Sequence, residues 1–166
     1  LSVREALVGA PHRCSGRAVE PLTCLALDAA HFRALLSNNV GLIHGVFRTV
    51  LGHAARDPMP IVLKQAVARG VAGLTASEVT APEPVHKVLL LRDLPLFARA
   101  TPEELMDLAA VCQTVPLTAG ALLVREYDHP SLYVVLSGEV LLEPVLGGDS
   151  HTASAGDAIG IYEPLS

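Results

Sequence analysis

Tryptophan is missing from this chain of 166 residues, and three Phe and three Tyr hold the aromatic share to 4%. A core must therefore be assembled from Leu, Val, Ile and Ala, which dominate a hydrophobic fraction of 51%. Charge is scarce at 17%, and Lys and Arg number 12 against 17 Asp and Glu, for a net charge of −5. No basic run occurs, so the footprint needed to follow a phosphate backbone is lacking and nucleic acid is not expected as a partner. Cysteine is sparse too: Cys14, Cys24 and Cys112 are odd in number and show no CxxC spacing. That argues against a disulfide framework or a Cys-rich zinc site and points to a reducing compartment. No apolar run approaches the roughly 18–20 residues that cross a bilayer, and the opening LSVREALVGAP carries an acid and lacks a signal-peptide layout. The expected location is the cytoplasm. The seven His are scattered, with His44 and His53 nine apart, so no metal or other cofactor is expected. No GxSxG elbow or other catalytic constellation is present, and the chain reads as something other than an enzyme. It opens on Leu1 rather than Met, which predicts a stretch of a longer protein.

Low charge and high hydrophobicity argue against disorder. Residues 3–9 read as a short helix stopped by Gly9 and Pro11. Residues 17–27 read as extended, with a break at Pro21. Asp28 then suits the N-cap of a helix that carries Phe32, Leu35 and Leu36 on one face and ends at Asn38 and Asn39. Residues 40–54 form a second apolar face, residues 61–69 a short helix, and APEPVH (81–86) a linker. HKVLLLR (86–92) restarts helix. Thr101, Pro102 and Glu104 supply an N-cap, a first-turn proline and a capping partner for a helix that runs to about Cys112. Beyond it the period changes from 3.6 to 2. Strands are expected at 114–117, 121–126, 132–138, 139–145 and 151–154, punctuated by Gly120, Gly138, Gly147, Gly148 and Gly156. Short strands at this spacing imply a sandwich or a barrel. Leu123, Leu132, Val134, Leu136 and Leu141 need an apolar cover, and the strand and helix within 17–37 fit that need.

Residues 89–160 carry an ordered set of features: LLLRDLPLF, TPEEL, Leu117 with Ala119 and Gly120, LLVRE with Asp128, LYVVLSGEV, then AGDAIG. In this order they resemble the opening half of a cyclic nucleotide-binding domain, the family of catabolite-activator-type regulators and kinase regulatory subunits. Residues 4–55 resemble its closing half, in which a short helix leads to an arginine, two strands and a C-terminal helix. The resemblance implies an α+β fold, an antiparallel β-barrel of jelly-roll type flanked by helices. It divides the chain into a closing half at 1–56, a linker with a short helix at 57–86 and an opening half at 87–166.

The resemblance also implies the site. Glu5 corresponds to the acid that binds the ribose 2′-hydroxyl, and Arg13, with Cys14 and Ser15 beside it, to the arginine that pairs with the cyclic phosphate. Gly156 and Gly160 belong to the backbone that wraps the phosphate, while Gly120 and Gly138 are structural turns. The implied function is a regulatory module that senses cAMP or cGMP and transmits binding through movement of the C-terminal helices 29–37 and 40–54. An alternative is a non-binding member that serves as an interaction or dimerisation module of a larger, transporter-fused and so membrane-tethered protein. Ile161 after Gly160, where the family has an acid, favours that alternative. The halves are expected to pack on each other within one chain or across a homodimer.

Overall fold

The computed structural model describes residues 14–39, 42–43, 81–94, 97–124, 131–144 and 149–159. The helices expected at 3–9 and 61–69, and most of the 40–54 segment, lie outside them.

Among the described residues lie three helices of nine or ten residues, two of which begin at the expected punctuation. Helix α1 (Ala29–Asn38) is capped by Asp28, whose side chain accepts from the Ala30 and His31 amides, and it buries Ala29, Phe32 and Leu36. Helix α2 (Pro84–Arg92) starts on its proline, two residues before the sequence reading placed it. APEPVH is thus part helix: a first-position proline gives up an amide that has no intrahelical partner anyway. Helix α3 (Pro102–Val111) carries a full capping box: the Thr101 amide donates to Glu104 Oε2 at 2.7 Å and the Glu104 amide to Thr101 Oγ1 at 3.2 Å. Lys87 Nζ donates to the Cys112 carbonyl at 2.7 Å, fastening α2 to the end of α3.

Among the described residues, eight strands follow the alternating stretches: β1 (Cys14–Ala18), β2 (Leu22–Asp28), β3 (Gln113–Leu117), β4 (Leu122–Val124), β5 (Ser131–Ser137), β6 (Glu139–Pro144), β7 (His151–Ser154) and β8 (Ala158–Ile159). They form two antiparallel four-stranded sheets, β3-β2-β5-β8 and β4-β1-β6-β7. β1 and β2, the first of the described strands, therefore occupy inner positions, one in each sheet. β2 lies between β3 and β5, with Ala26 opposite Gln113 on one side and Tyr133 on the other. β1 lies between β4 and β6, with Gly16 opposite Val124 and Leu142. The two stretches resembling half-domains thus make one pair of sheets within a single chain.

Alternation splits the apolar side chains into two layers. Leu25 and Leu27 of β2 and Leu132, Val134 and Leu136 of β5 face the helices and are buried with Phe32, Leu36, Leu90, Leu91, Phe97, Leu105 and Leu108. Phe32 meets Phe97 edge to face at 6.0 Å between centroids. The opposite face of the first sheet, through Leu22, Cys24, Val135 and Ile159, packs on Cys14, Ala18, Val124, Val140, Leu142 and Ala153 of the second. Leu141 corrects the sequence reading: Val140 and Leu142, not Leu141, point into the core of β6. β6 pairs with β1 and β7 in the second sheet, so its inward face is set by the layer between the sheets and not by the helices that cover β5.

Candidate functional site

The face of the first sheet that meets the second does not stay filled along its length. Cys24, Val135 and Ile159 close it, but the next residues on that face are Ala26 and Asp28 of β2, Ser131 and Tyr133 of β5, and Gln113 and Val115 of β3. Ala26 is the smallest of them and sits in register between Gln113 and Tyr133. A cavity of about 410 Å³ results, lined by these residues together with Val111, His31 and Leu123 of β4. That volume lies within the range of small-molecule sites, about 300–1,000 Å³. The lining combines apolar walls with a few polar groups gathered at the β2–α1 junction.

Asp28 and His31 mark that junction. Asp28 Oδ1 accepts the Ala30 amide at 2.9 Å and the His31 amide at 3.1 Å, and His31 Nδ1 lies 3.2 Å from the same oxygen. Burial on its own pushes the Asp28 carboxyl up. The bonds from the His31 and Ala30 amides and the His31 ring outweigh it and hold the group below its ordinary value, so the carboxylate is charged at neutral pH. Ser131 stands opposite Asp28 across the β2–β5 ladder.

The residues singled out by the resemblance fall into three groups. Glu5, Arg13 and Gly160 lie outside the described residues. Cys14 and Ser15 open β1 on opposite faces: Cys14 is buried between the sheets, Ser15 is half-buried on the other side, and neither lines the cavity. Gly156 has φ +90°, a left-handed conformation that suits glycine, and its amide donates to the Val135 carbonyl at 2.9 Å. The Asp157 carboxylate closes the same turn by accepting the Ser154 amide at 2.8 Å and the Ser154 hydroxyl at 3.3 Å. The Gly156 amide is thus occupied within the fold.

Gly120 and Gly138 both have positive φ. The Gly120 amide donates to the Ala18 carbonyl at 2.8 Å, and Arg17 Nη1 donates to the Gly120 carbonyl at 2.7 Å, so this turn is clasped to β1.

No family model matches the chain, and neither a curated protein nor a solved structure does. Among the described residues, no group of three or more His, Cys, Asp or Glu gathers as metal ligands, and no helix is long and apolar enough to cross a membrane.

Sequence reasoning missed Ala26, Gln113, Ser131 and Tyr133. Each is an ordinary strand residue, and the signal that unites them is cross-strand register, which a one-dimensional reading does not contain. Asp28 was legible as a helix cap but not as a cavity wall.

Proposed function

We propose that the protein is a regulatory module of the cyclic nucleotide-binding kind, built on a jelly roll and sensing cAMP or cGMP. The strand order carries this reading. Counted from β3, with β1 and β2 placed after β8, the outer pairs β3·β2, β4·β1, β5·β8 and β6·β7 join first to eighth, second to seventh, third to sixth and fourth to fifth. Such a succession is one long antiparallel ribbon of paired strands. Folded over, it gives the further pairs β2·β5 and β1·β6, which is how a jelly roll is wound.

In this reading the ligand enters the cavity at the start of α1, and α1 is the output. The Asp28 carboxylate both lines the cavity and caps that helix, so occupied and empty states differ at the helix start. Glu5 and Arg13 remain the proposed partners of ribose and phosphate. The module has no catalytic role, works in the cytoplasm as part of a longer chain or a homodimer, and uses no cofactor beyond its ligand. The second reading, a non-binding interaction module, is favoured by Ile161 where the family carries an acid.

Calorimetry on the full chain separates the two. A ligand that binds only the folded state at a hundred times its Kd stabilises it by about 2.7 kcal/mol. Heat of binding and a raised melting temperature with cAMP or cGMP are expected, with Arg13→Ala weakening binding at least tenfold. Absence of both effects at millimolar ligand establishes the non-binding reading instead.

A further inference from the structure

The two oxygens of Asp28 are used unequally. Oδ1 receives the Ala30 amide, the His31 amide and the His31 ring contact. None of the described residues donates to Oδ2. A carboxylate offers about four lone-pair sites, so the cap leaves acceptor capacity on a side chain that lines the cavity.

The other described lining groups set the polarity of this end. Ser131, Tyr133 and Gln113 are neutral, Ala26, Val111, Val115 and Leu123 are apolar, the His31 ring is already engaged with Asp28 Oδ1, and no Lys or Arg is among them. A phosphate placed here would face a charged carboxylate, with no Lys or Arg among the described lining residues to oppose it. An amine or a hydroxyl would find a charge-assisted acceptor, the stronger kind of hydrogen bond.

We propose that Asp28 Oδ2 is the specificity-determining acceptor for the base of the ligand, taking a hydrogen bond from an exocyclic amine, with the phosphate held away from this end of the cavity. The proposal rests on the cyclic nucleotide reading for the class of ligand. Only a ligand with a donor at the right place gains this bond, and the gain is made at the first turn of α1 because the same carboxylate caps the helix.

Asp28→Asn is the discriminating variant. Asparagine caps helices as well as aspartate does, so Oδ1 keeps its role. Its Nδ2, a donor, takes the place of the Oδ2 acceptor. Should this variant fail to fold, Asp28→Ser keeps a capping oxygen and also removes Oδ2. Calorimetry would compare wild type and variant with cAMP, cGMP, the 2′-deoxy form of whichever binds, the form lacking its exocyclic amine, and phosphate-free adenosine and guanosine.

At least tenfold weaker binding to the variant is expected. The analogue lacking the exocyclic amine should bind wild type just as weakly and be indifferent to the substitution, while the 2′-deoxy form stays sensitive to it. Binding to the variant within twofold of wild type overturns the proposal while leaving the cyclic nucleotide reading intact, as does loss of affinity with the amine-free analogue still sensitive to the substitution. If neither cyclic nucleotide binds wild type, the functional reading falls and the nucleosides decide. A nucleoside that binds wild type, and the variant at least tenfold less, upholds the Asp28 role. No nucleoside binding to wild type overturns it.

Discussion

Gly138 lies directly against the backbone of Pro21: a Cβ on Gly138 would overlap the Pro21 carbonyl oxygen and crowd Leu22 Cα. The two residues belong to the corners where β5 passes to β6 and β1 passes to β2. Each corner moves the chain from one sheet to the other, and the two are stacked. The Val19 amide donates to the Glu139 carbonyl at 2.8 Å beside them. Gly138 also has φ +84°, which disfavours any side chain. Gly138→Ala is therefore expected to cost about 3 kcal/mol, combining left-handed backbone strain with overpacking. Equilibrium denaturation in urea measures this, and a loss under about 1 kcal/mol would show that the corners can move apart.

Ala26 tests the cavity by filling it. Between Gln113 and Tyr133 a leucine would extend into space that is open in the native fold. Ala26→Leu should leave the melting temperature within a few degrees of wild type and reduce nucleotide binding at least tenfold. Full affinity in a folded Ala26→Leu variant would move the site elsewhere.

Cys24 and Cys112 are buried thiols whose pKa is pushed up to about 12, by desolvation in both cases, with Lys87 opposing slightly at Cys112. The unfolded chain ionises them near the ordinary value of 9.0, while the folded chain keeps them neutral. Their contribution to stability is thus fully present below pH 9.0 and falls as pH rises toward about 12. The slope is about 1.4 kcal/mol per pH unit for each thiol. Denaturation curves between pH 8.5 and 11 should show the fall, and Cys24→Ala should flatten it. A thiol reagent at pH 8 should label neither cysteine until denaturant is added.

Asp28 titrates in the opposite sense. Its carboxyl lies below the ordinary value of 3.8 in the folded chain, so its contribution is present above that value and is lost as pH falls through the lower folded pKa. Acid should loosen the first turn of α1, seen as faster amide exchange at Ala30 and His31. In Asp28→Asn that exchange should lose its acid dependence, whereas Asp28→Ala should destabilise the fold by about 1 kcal/mol at every pH above it.

Helix starts were the most legible part of the fold. Asp28, and Thr101 with Pro102 and Glu104, act through bonds to residues two or three positions away, so their meaning is local. Strands were legible as segments but not as partners. The break at Gly138 within LYVVLSGEV was legible, but not that the strands on either side of it, β5 and β6, belong to separate sheets. The two-residue β8 was too short to show any period. The cavity was invisible because Ala26 meets Gln113 and Tyr133 only after chain segments roughly a hundred residues apart have paired.

The inner placement of β1 and β2 also governs the order of events when the chain is made. These strands emerge from the ribosome first, but their partners begin at Gln113, and the far end of the β1 ladder pairs Cys14 with Pro144. At about 5–20 residues per second, the interval between Asp28 and Pro144 lasts on the order of ten seconds. Until Gln113 and then Ser131 have emerged, LTCLALD lacks its partner strands on both sides. Ladders of such long sequence separation form slowly. The nascent chain therefore depends on holding its first strands apart from other chains until its last ones arrive.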